Sequence, residues 1–238
     1  MSFYNLLYQQ YGEKGILISW PNKIDEAILS DILLVKKCLL DFKKNEIQDL
    51  TNGYNSVLVL FNNEINAPNK IAVLKELLSN RKQSSEVLKT NTWQVPVCYH
   101  ESFGIDIIEM AEQKNLSVPE LINLHTKASY KVFCKGFLPG FMYLGGLNKK
   151  LHTPRKSSPR LLVPKNSVAI GGKQTGIYPN ESPGGWHIIG RTPVSLFDIT
   201  QKKISLIAIG DTIKFEEISL NEYEFLQKGQ PKLELYIE

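Results

Sequence analysis

The chain has 238 residues, and its 28 Lys and Arg against 24 Asp and Glu give a formal charge of +4. That length suits one large domain or two small ones, an apolar share of 42% is enough for a core, and no apolar run approaches the ~18 residues of a membrane helix. Three scattered cysteines (Cys38, Cys98, Cys134) and a start without signal-peptide character predict a cytoplasmic protein without a disulfide framework.

In chain order, Tyr4–Tyr8 alternates weakly and predicts a strand, with Gly15–Trp20 as its partner across a glycine-flanked turn. Ile24, Ala27, Ile28, Ile32, Val35 and Leu39 recur at three- and four-residue steps, the mark of a helix with one apolar face. Ile47–Thr51 and Ser56–Phe61 flank Asn52-Gly53, a dipeptide that favours a hairpin turn. Pro68 stands near the start of a second helix bearing Ile71, Leu74, Leu77 and Leu78. Two helices on one face of an antiparallel sheet predict a ferredoxin-like α+β domain over residues 1–85, followed by a polar linker at 80–86.

The second domain is expected over residues 86–238. Trp93–Tyr99 reads as a strand, and Gly104–Lys114 as a helix with Ile105, Ile108 and Ala111 on one face. Ser117-Val-Pro-Glu120 has the spacing of a capping box and starts a short helix carrying Leu121, Ile122, Leu124 and His125. Tyr130–Gly136 alternates as a strand, which would place Cys134 with Tyr130 and Val132 as a buried thiol. Ten of the 16 glycines and seven of the 12 prolines then fall between Gly136 and Pro193. Short pieces at Ser167–Ile170, Trp186–Gly190, Val194–Asp198, Ile204–Ile209 and Thr212–Glu217 predict a β-barrel, with a terminal helix at Asn221–Lys228.

Charge is uneven along this domain. From Leu121 to Asn180 there is no Asp or Glu, while ten cations occur, among them Lys131, Lys135, Arg155, Lys156, Arg160, Lys165 and Lys173. Such a run points to an anionic ligand or partner. It lacks the basic-aromatic modules of nucleic-acid readers, so no nucleic acid is expected. No Cys-x-x-Cys or His-x-x-x-His occurs and no metal site is predicted; the absence of Gly-x-x-x-x-Gly-Lys-Ser/Thr argues against a P-loop.

Leu124-His125, Gly136-Phe-Leu-Pro-Gly-Phe141, Pro154-Arg155 with Pro159-Arg160, Gly171–Pro179, Ser182-Pro-Gly-Gly-Trp186 and Gly190-Arg-Thr-Pro193 follow one another in order. In these clusters the chain resembles the allophanate hydrolase subunit 1 family, which includes subunits of bacterial 5-oxoprolinase and an inhibitor of a sporulation histidine kinase. Met142, where proline is common, and the polar Lys173 depart from the pattern. The resemblance implies a ferredoxin-like domain followed by a mainly-β cyclophilin-like barrel. It also implies a role in an ATP-dependent 5-oxoprolinase, with ATP and Mg in the assembled complex, companion subunits A and C, and 5-oxoproline as substrate. The alternatives are a regulator that binds a histidine kinase, or a carboxyltransferase-type subunit of a biotin-dependent urea or amide carboxylase. No membrane partner is expected.

Candidate site residues follow from chemistry within those motifs. Arg155 and Arg160 could each fork a carboxylate or phosphate, or be solvated surface charge. Gln174, Thr175 and Tyr178 could orient a polar ring, and the amides of Gly171 and Gly172 could form an anion nest; equally, they could belong to a tight hairpin. His125 is the candidate proton-transfer group, against a helix-end histidine bonded to a carbonyl. Phe137, Pro139, Phe141, Trp186 and Arg191 are the candidate cleft or partner surface, although Arg191 could instead tie down a loop. No complete catalytic set is visible, so activity is expected only with partner subunits.

Overall fold

The computed structural model describes residues 4–43, 45–79, 90–200, 205–229 and 234–235. The chain divides into two compact units, 1–89 and 90–238. The linker predicted at 80–86 lies outside the described residues.

The first unit runs β1 (Leu7–Tyr11), β2 (Gly15–Ser19), α1 (Glu26–Lys43), β3 (Ile47–Asn52), β4 (Ser56–Phe61) and α2 (Ala67–Ser79). Its sheet has the order β1-β2-β4-β3 with antiparallel neighbours throughout, so β2 and β3 run in the same direction with β4 between them. Ile16 and Ile18 of β2, and Val57, Val59 and Phe61 of β4, meet Ile28, Ile32, Val35 and Leu39 of α1 and Leu74 and Leu78 of α2. The Asn52-Gly53 hairpin forms as expected, with the Gly53 amide donating to the Ser56 carbonyl at 2.9 Å. The first strand begins three residues later than Tyr4–Tyr8. The turn sets this register: Tyr11 pairs with Gly15, and Gly12 at φ +63° makes the tight reversal possible.

The second unit contains β5 (Thr92–Val97), α3 (Ile107–Gln113), α4 (Val118–Thr126), β6 (Ser129–Lys135), β7 (Met142–Gly145), a 3-10 turn at Lys149–Leu151, β8 (Arg160–Val163), β9 (Ser167–Gly171), β10 (Gln174–Ile177), β11 (Ser182–Gly184), β12 (His187–Arg191), β13 (Thr212–Glu217), α5 (Leu220–Gly229) and β14 (Glu234–Leu235). Eight strands form one sheet in the order β12-β9-β10-β7-β6-β13-β5-β14, and β8 and β11 form a separate ribbon. The large sheet curls so that β12, at one edge, meets the chain just past β5, the strand next to the other edge. Cys98, just past β5, pairs with Arg191 of β12 through two backbone hydrogen bonds of 2.9 and 3.0 Å. Inside lie Val95, Val97, Tyr130, Val132, Met142, Leu144, Val168, Ile170, Ile177, Ile189, Ile213 and Phe215, covered by Leu121 of α4 and Ile107 and Met110 of α3.

The capping box of α4 is present: the Ser117 hydroxyl accepts from the Glu120 amide, and Glu120 accepts from the Ser117 amide at 2.7 Å. The buried face of α3 differs from expectation. Ile105 and Ile108 are about half exposed, while Ile107, Met110 and Ala111 are buried, because the helix starts at Ile107 and its inward stripe is turned by one residue.

Val194–Asp198 and Ser205–Ile209 are not strands, and Ile204 lies outside the described residues. Val194, Leu196 and Ile207 are nevertheless buried in the core. They are apolar because they fill the barrel, and β13 already has β6 and β5 on its two sides. Buried Asp211 organises this region: it accepts from the Asn91 amide, the Trp93 indole and the Ala208 amide at 2.8–2.9 Å. Lys131 donates to the Gly210 carbonyl, and Lys135 to Ser205 and the Ile207 carbonyl. These two lysines of the acid-free run are therefore half-buried anchors rather than solvated strand faces.

Candidate functional site

Strand alternation gives the barrel wall a second, outward face. On β9, β10 and β7 the residues turned away from the core are Ala169, Gly171, Gln174, Gly176 and Tyr143. Phe141, Val163, Ala169, Tyr178, Trp186 and Ile188 form a cluster there, with Leu138 and Tyr143 packed against it. The glycines are explained by Trp186. A Cβ at Gly171 would stand 2.6 Å from the indole, and one at Gly176 would meet Trp186 at 3.1 Å and Phe141 at 3.0 Å. The Gly-rich motif is thus flat ground on which an indole lies. Gly172, at φ +65°, makes the β9–β10 turn, and its amide donates to the Thr153 carbonyl at 2.6 Å, so it is already committed within the chain.

The rings meet edge to face, Phe141 with Trp186 at 5.5 Å, Phe141 with Tyr178 at 5.2 Å and Tyr143 with Trp186 at 5.9 Å between centroids. Phe137 extends the series at 5.7 Å from Phe141. It is 62% exposed and held at φ +69°, an uncommon backbone conformation for an aromatic residue. Pro139, in the same turn, is exposed.

Arg155 completes this face. Its guanidinium lies 5.9 Å from the Trp186 ring centroid, a cation–π arrangement, and the side chain is exposed. Its charge reaches two phenols. Burial raises the pKa of Tyr143, with Cys134 adding to the rise and Arg155 opposing it. Burial likewise raises Tyr178, opposed by the Trp186 amide and by Arg155.

The segment carrying Arg155 is fastened on both sides. Thr153 exchanges two backbone hydrogen bonds with Gly172. The Pro154 carbonyl accepts from His187 Nε2 at 3.0 Å, and the Lys156 amide donates to the Gly185 carbonyl at 2.8 Å. Lys156 Nζ lies 2.9 Å from Asp106 Oδ1. Arg160 forks the same carboxylate, with Nη1 to Oδ2 at 2.8 Å and Nη2 to Oδ1 at 2.6 Å. The Ile188 amide donates to Oδ2 at 2.7 Å. Asp106 stands at the N-cap position of α3 but makes no capping bond, because its carboxylate is turned to these partners. Burial alone would raise its pKa; Arg160, Lys156 and the Ile188 amide outweigh burial and hold it below the ordinary carboxylate value.

Other residues expected at the site lie elsewhere. His125 is fully buried on the core side, stacked on Phe215 at 4.6 Å. Its Nδ1 meets the Tyr99 hydroxyl at 2.7 Å and its Nε2 the Thr175 hydroxyl at 3.0 Å. Thr175 donates to the Ala169 carbonyl, so its oxygen accepts from His125 Nε2–H and the Tyr99 hydroxyl donates to Nδ1. Burial lowers the His125 pKa to about 3. Thr175 therefore faces His125 inside the barrel, while Gln174, also buried, belongs to the outer face. Arg160 spends its fork on Asp106 within the chain. Arg191 lies 4.9 Å from the Phe103 ring and hydrogen-bonds Tyr223 of α5, an arrangement that ties elements together. Cys134 is buried, but a register shift after Val132 sets it opposite Tyr143 on the outer face, not with Tyr130 and Val132. The bulge is what period-two alternation missed. Asp106 was missed as well. Among the described residues, no group of three or more His, Cys, Asp or Glu could hold a metal ion, and no helix is long and apolar enough to cross a membrane.

The family model described as "Carboxyltransferase domain, subdomain C and D" matches residues 6–207. The chain is 47% identical to the 5-oxoprolinase B subunit of Bacillus subtilis (strain 168) over 130 residues, which span 55% of this chain and 54% of that relative. It is 36% identical to the 5-oxoprolinase B subunit of Escherichia coli O157:H7 over 207 residues, 86% of this chain and 92% of the relative. Urea carboxylase of Kluyveromyces lactis superposes with a TM-score of 0.81 at 19% identity, covering 98% of this chain and 24% of that one, a likeness of fold.

Proposed function

From the premise that this chain belongs to the carboxyltransferase C and D family with the 5-oxoprolinase B subunits, we propose that it is the B subunit of an ATP-dependent 5-oxoprolinase. The observation that carries the reading is the set of relatives of that name at 36–47% identity. In it, the N-terminal unit is a ferredoxin-like variant: β2, α1, β3 and β4 supply the split β-α-β core, and β1 fills the edge usually taken by a last strand. The second unit is a cyclophilin-like barrel, supported by the closure at Cys98 and Arg191.

The substrate, 5-oxoproline, is a flat lactam bearing a carboxylate. Phe137, which is exposed, and Tyr143, which is half-buried, offer ring edges to the lactam and Arg155 a cation to the carboxylate, while the buried Trp186 and Gln174 form the backing of this face. A lactam is unreactive until its oxygen is made a leaving group, for which ATP supplies the phosphoryl group. Arg155 would then also balance charge developing near the ring. His125, neutral and enclosed, is a structural partner in this reading rather than the proton donor. Mg–ATP and the remaining catalytic groups are assigned to companion subunits A and C, and the complex to the cytoplasm.

The test is reconstitution. The chain alone should leave 5-oxoproline unchanged, the companion subunits alone should be inactive, and the assembled complex should consume water and yield glutamate, ADP and inorganic phosphate. Turnover by the isolated chain, or full activity without it, would refute the proposal. A second reading, docking of a histidine kinase helix, is favoured by the exposed ring of Phe137. It requires that the chain capture the kinase and suppress its autophosphorylation, and that Phe137→Ala abolish both effects.

A further inference from the structure

Asp106 is the acid on which two cations of the Arg155 segment converge, and it comes from outside the acid-free run. The segment has Lys156 one residue after Arg155 and Arg160 at the start of β8. Both reach the same carboxylate, whose Oδ2 also accepts from the Ile188 amide, two residues past Trp186. The carboxylate thus joins β12, which begins one residue after Trp186, to the loop that carries Arg155. Two further bonds, Pro154 to His187 and Lys156 to Gly185, close the loop around Trp186 on either side. Arg155 makes no ion pair among the described residues, and its guanidinium rests over the indole face.

We infer that Asp106 is a positioning residue: through Lys156 and Arg160 it holds the 153–160 loop so that Arg155 stays over Trp186, open to an anionic ligand. Charge sets the division of labour. Asp106, helped by the exposed Glu109 at 3.5 Å from Lys156 Nζ, satisfies the flanking cations, so neither competes with Arg155 for the ligand, and the loop is fixed by its neighbours rather than by Arg155 itself. A preorganised cation loses less entropy on binding than one on a mobile loop. The link to turnover rests on the proposed substrate role of this face; the loop's anchoring does not.

The experiment uses the full chain, free and in the assembled complex, with Asp106→Asn, Arg155→Ala and the double variant. Amide hydrogen exchange of the full chain reads the anchor directly. Asp106→Asn should speed exchange at 155–160 and 184–188 by about tenfold or more, and leave the β2–β4 amides unchanged. In the complex, Asp106→Asn should raise KM for 5-oxoproline about tenfold with a smaller change in kcat, and should add nothing further in the Arg155→Ala background. Arg160→Lys, which keeps the charge and loses the fork, should fall between wild type and Arg160→Gln. If Asp106→Asn fails to fold, Arg160→Gln with Lys156 intact takes its place. Unchanged local exchange overturns the inference, and so do KM effects of Asp106→Asn and Arg155→Ala that multiply. If Arg155→Ala leaves KM unaltered, the substrate reading of this face fails, and the exchange result by itself decides the anchor.

Discussion

Replacing His125 by Gln should remove a pH dependence of stability that the fold builds into the barrel core. Gln can reproduce both bonds of the neutral ring, its oxygen accepting from Tyr99 and its amide donating to Thr175. It does not titrate. His125 has a folded pKa of about 3 against an ordinary value of 6.5. Above about pH 6.5 the ring is neutral in both states and its burial costs nothing in protonation. As pH falls toward 3, the unfolded chain takes up a proton that the folded one refuses, so stability falls by about 1.4 kcal/mol per pH unit. Between pH 7 and pH 5 the wild-type chain should lose about 2 kcal/mol more than His125→Gln, because other titrating groups cancel in the difference. Urea denaturation at pH 7, 6 and 5, followed on the barrel unit, measures it. Parallel pH profiles for the two proteins would show that His125 is not held neutral by its enclosure, and the assignment of its hydrogen bonds would fall with that result.

Gly171→Ala should cost about 1–3 kcal/mol, since its Cβ meets the Trp186 indole at 2.6 Å; a wild-type melting temperature would show that the motif glycines serve something other than indole packing. Asp211→Ala leaves the Asn91 amide, the Trp93 indole and the Ala208 amide without their acceptor, and should destabilise the barrel by about 3 kcal/mol in urea titration; a loss under ~1 kcal/mol would refute its role as a hub. Arg155→Ala should lower kcat/KM of the assembled enzyme about tenfold with little change in melting, whereas Lys131→Ala should affect melting and spare turnover. Equal effects of the two on turnover would return Arg155 to ordinary surface charge.

What the sequence made legible was local. The Asn52-Gly53 hairpin, the α1 stripe from Ile28 to Leu39 and the Ser117–Glu120 box each depend on residues a few positions apart, and each formed; Ile24, before the helix, and Ala27 in its first turn are exposed instead. The first strand was misplaced because β1 is a polar edge strand whose place is dictated by its turn with β2. Val194–Asp198 and Ser205–Ile209 were read as strands because buried apolar residues look alike whether they extend a ladder or fill a barrel. The site divides on the same line. Trp186 and its glycines were legible as a motif. That Thr175 would face inward to His125 while Gln174 faced outward depends on the phase of one strand. That Arg160 would meet Asp106 depends on a contact 54 residues apart, for which no local pattern exists.

That long-range contact also gives a reason for the absence of acids at 153–160, within the run. The cations from Leu121 to Asn180 are not a uniform surface for a polyanion. Lys131 and Lys135 are spent on carbonyls of the 205–210 segment, and Lys156 and Arg160 meet on the buried Asp106 carboxylate, with Glu109 a second, longer partner of Lys156. Lys165 and Lys173 are exposed. A carboxylate within 153–160 would compete with Asp106 for Lys156 and Arg160, loosening the loop, or pair with Arg155 and close it to an incoming anion. Either outcome defeats a site built on one free guanidinium over an indole. The 153–160 loop excludes acids for the same reason that it imports Asp106: its flanking cations need a fixed partner, and Arg155 must stay open to the ligand.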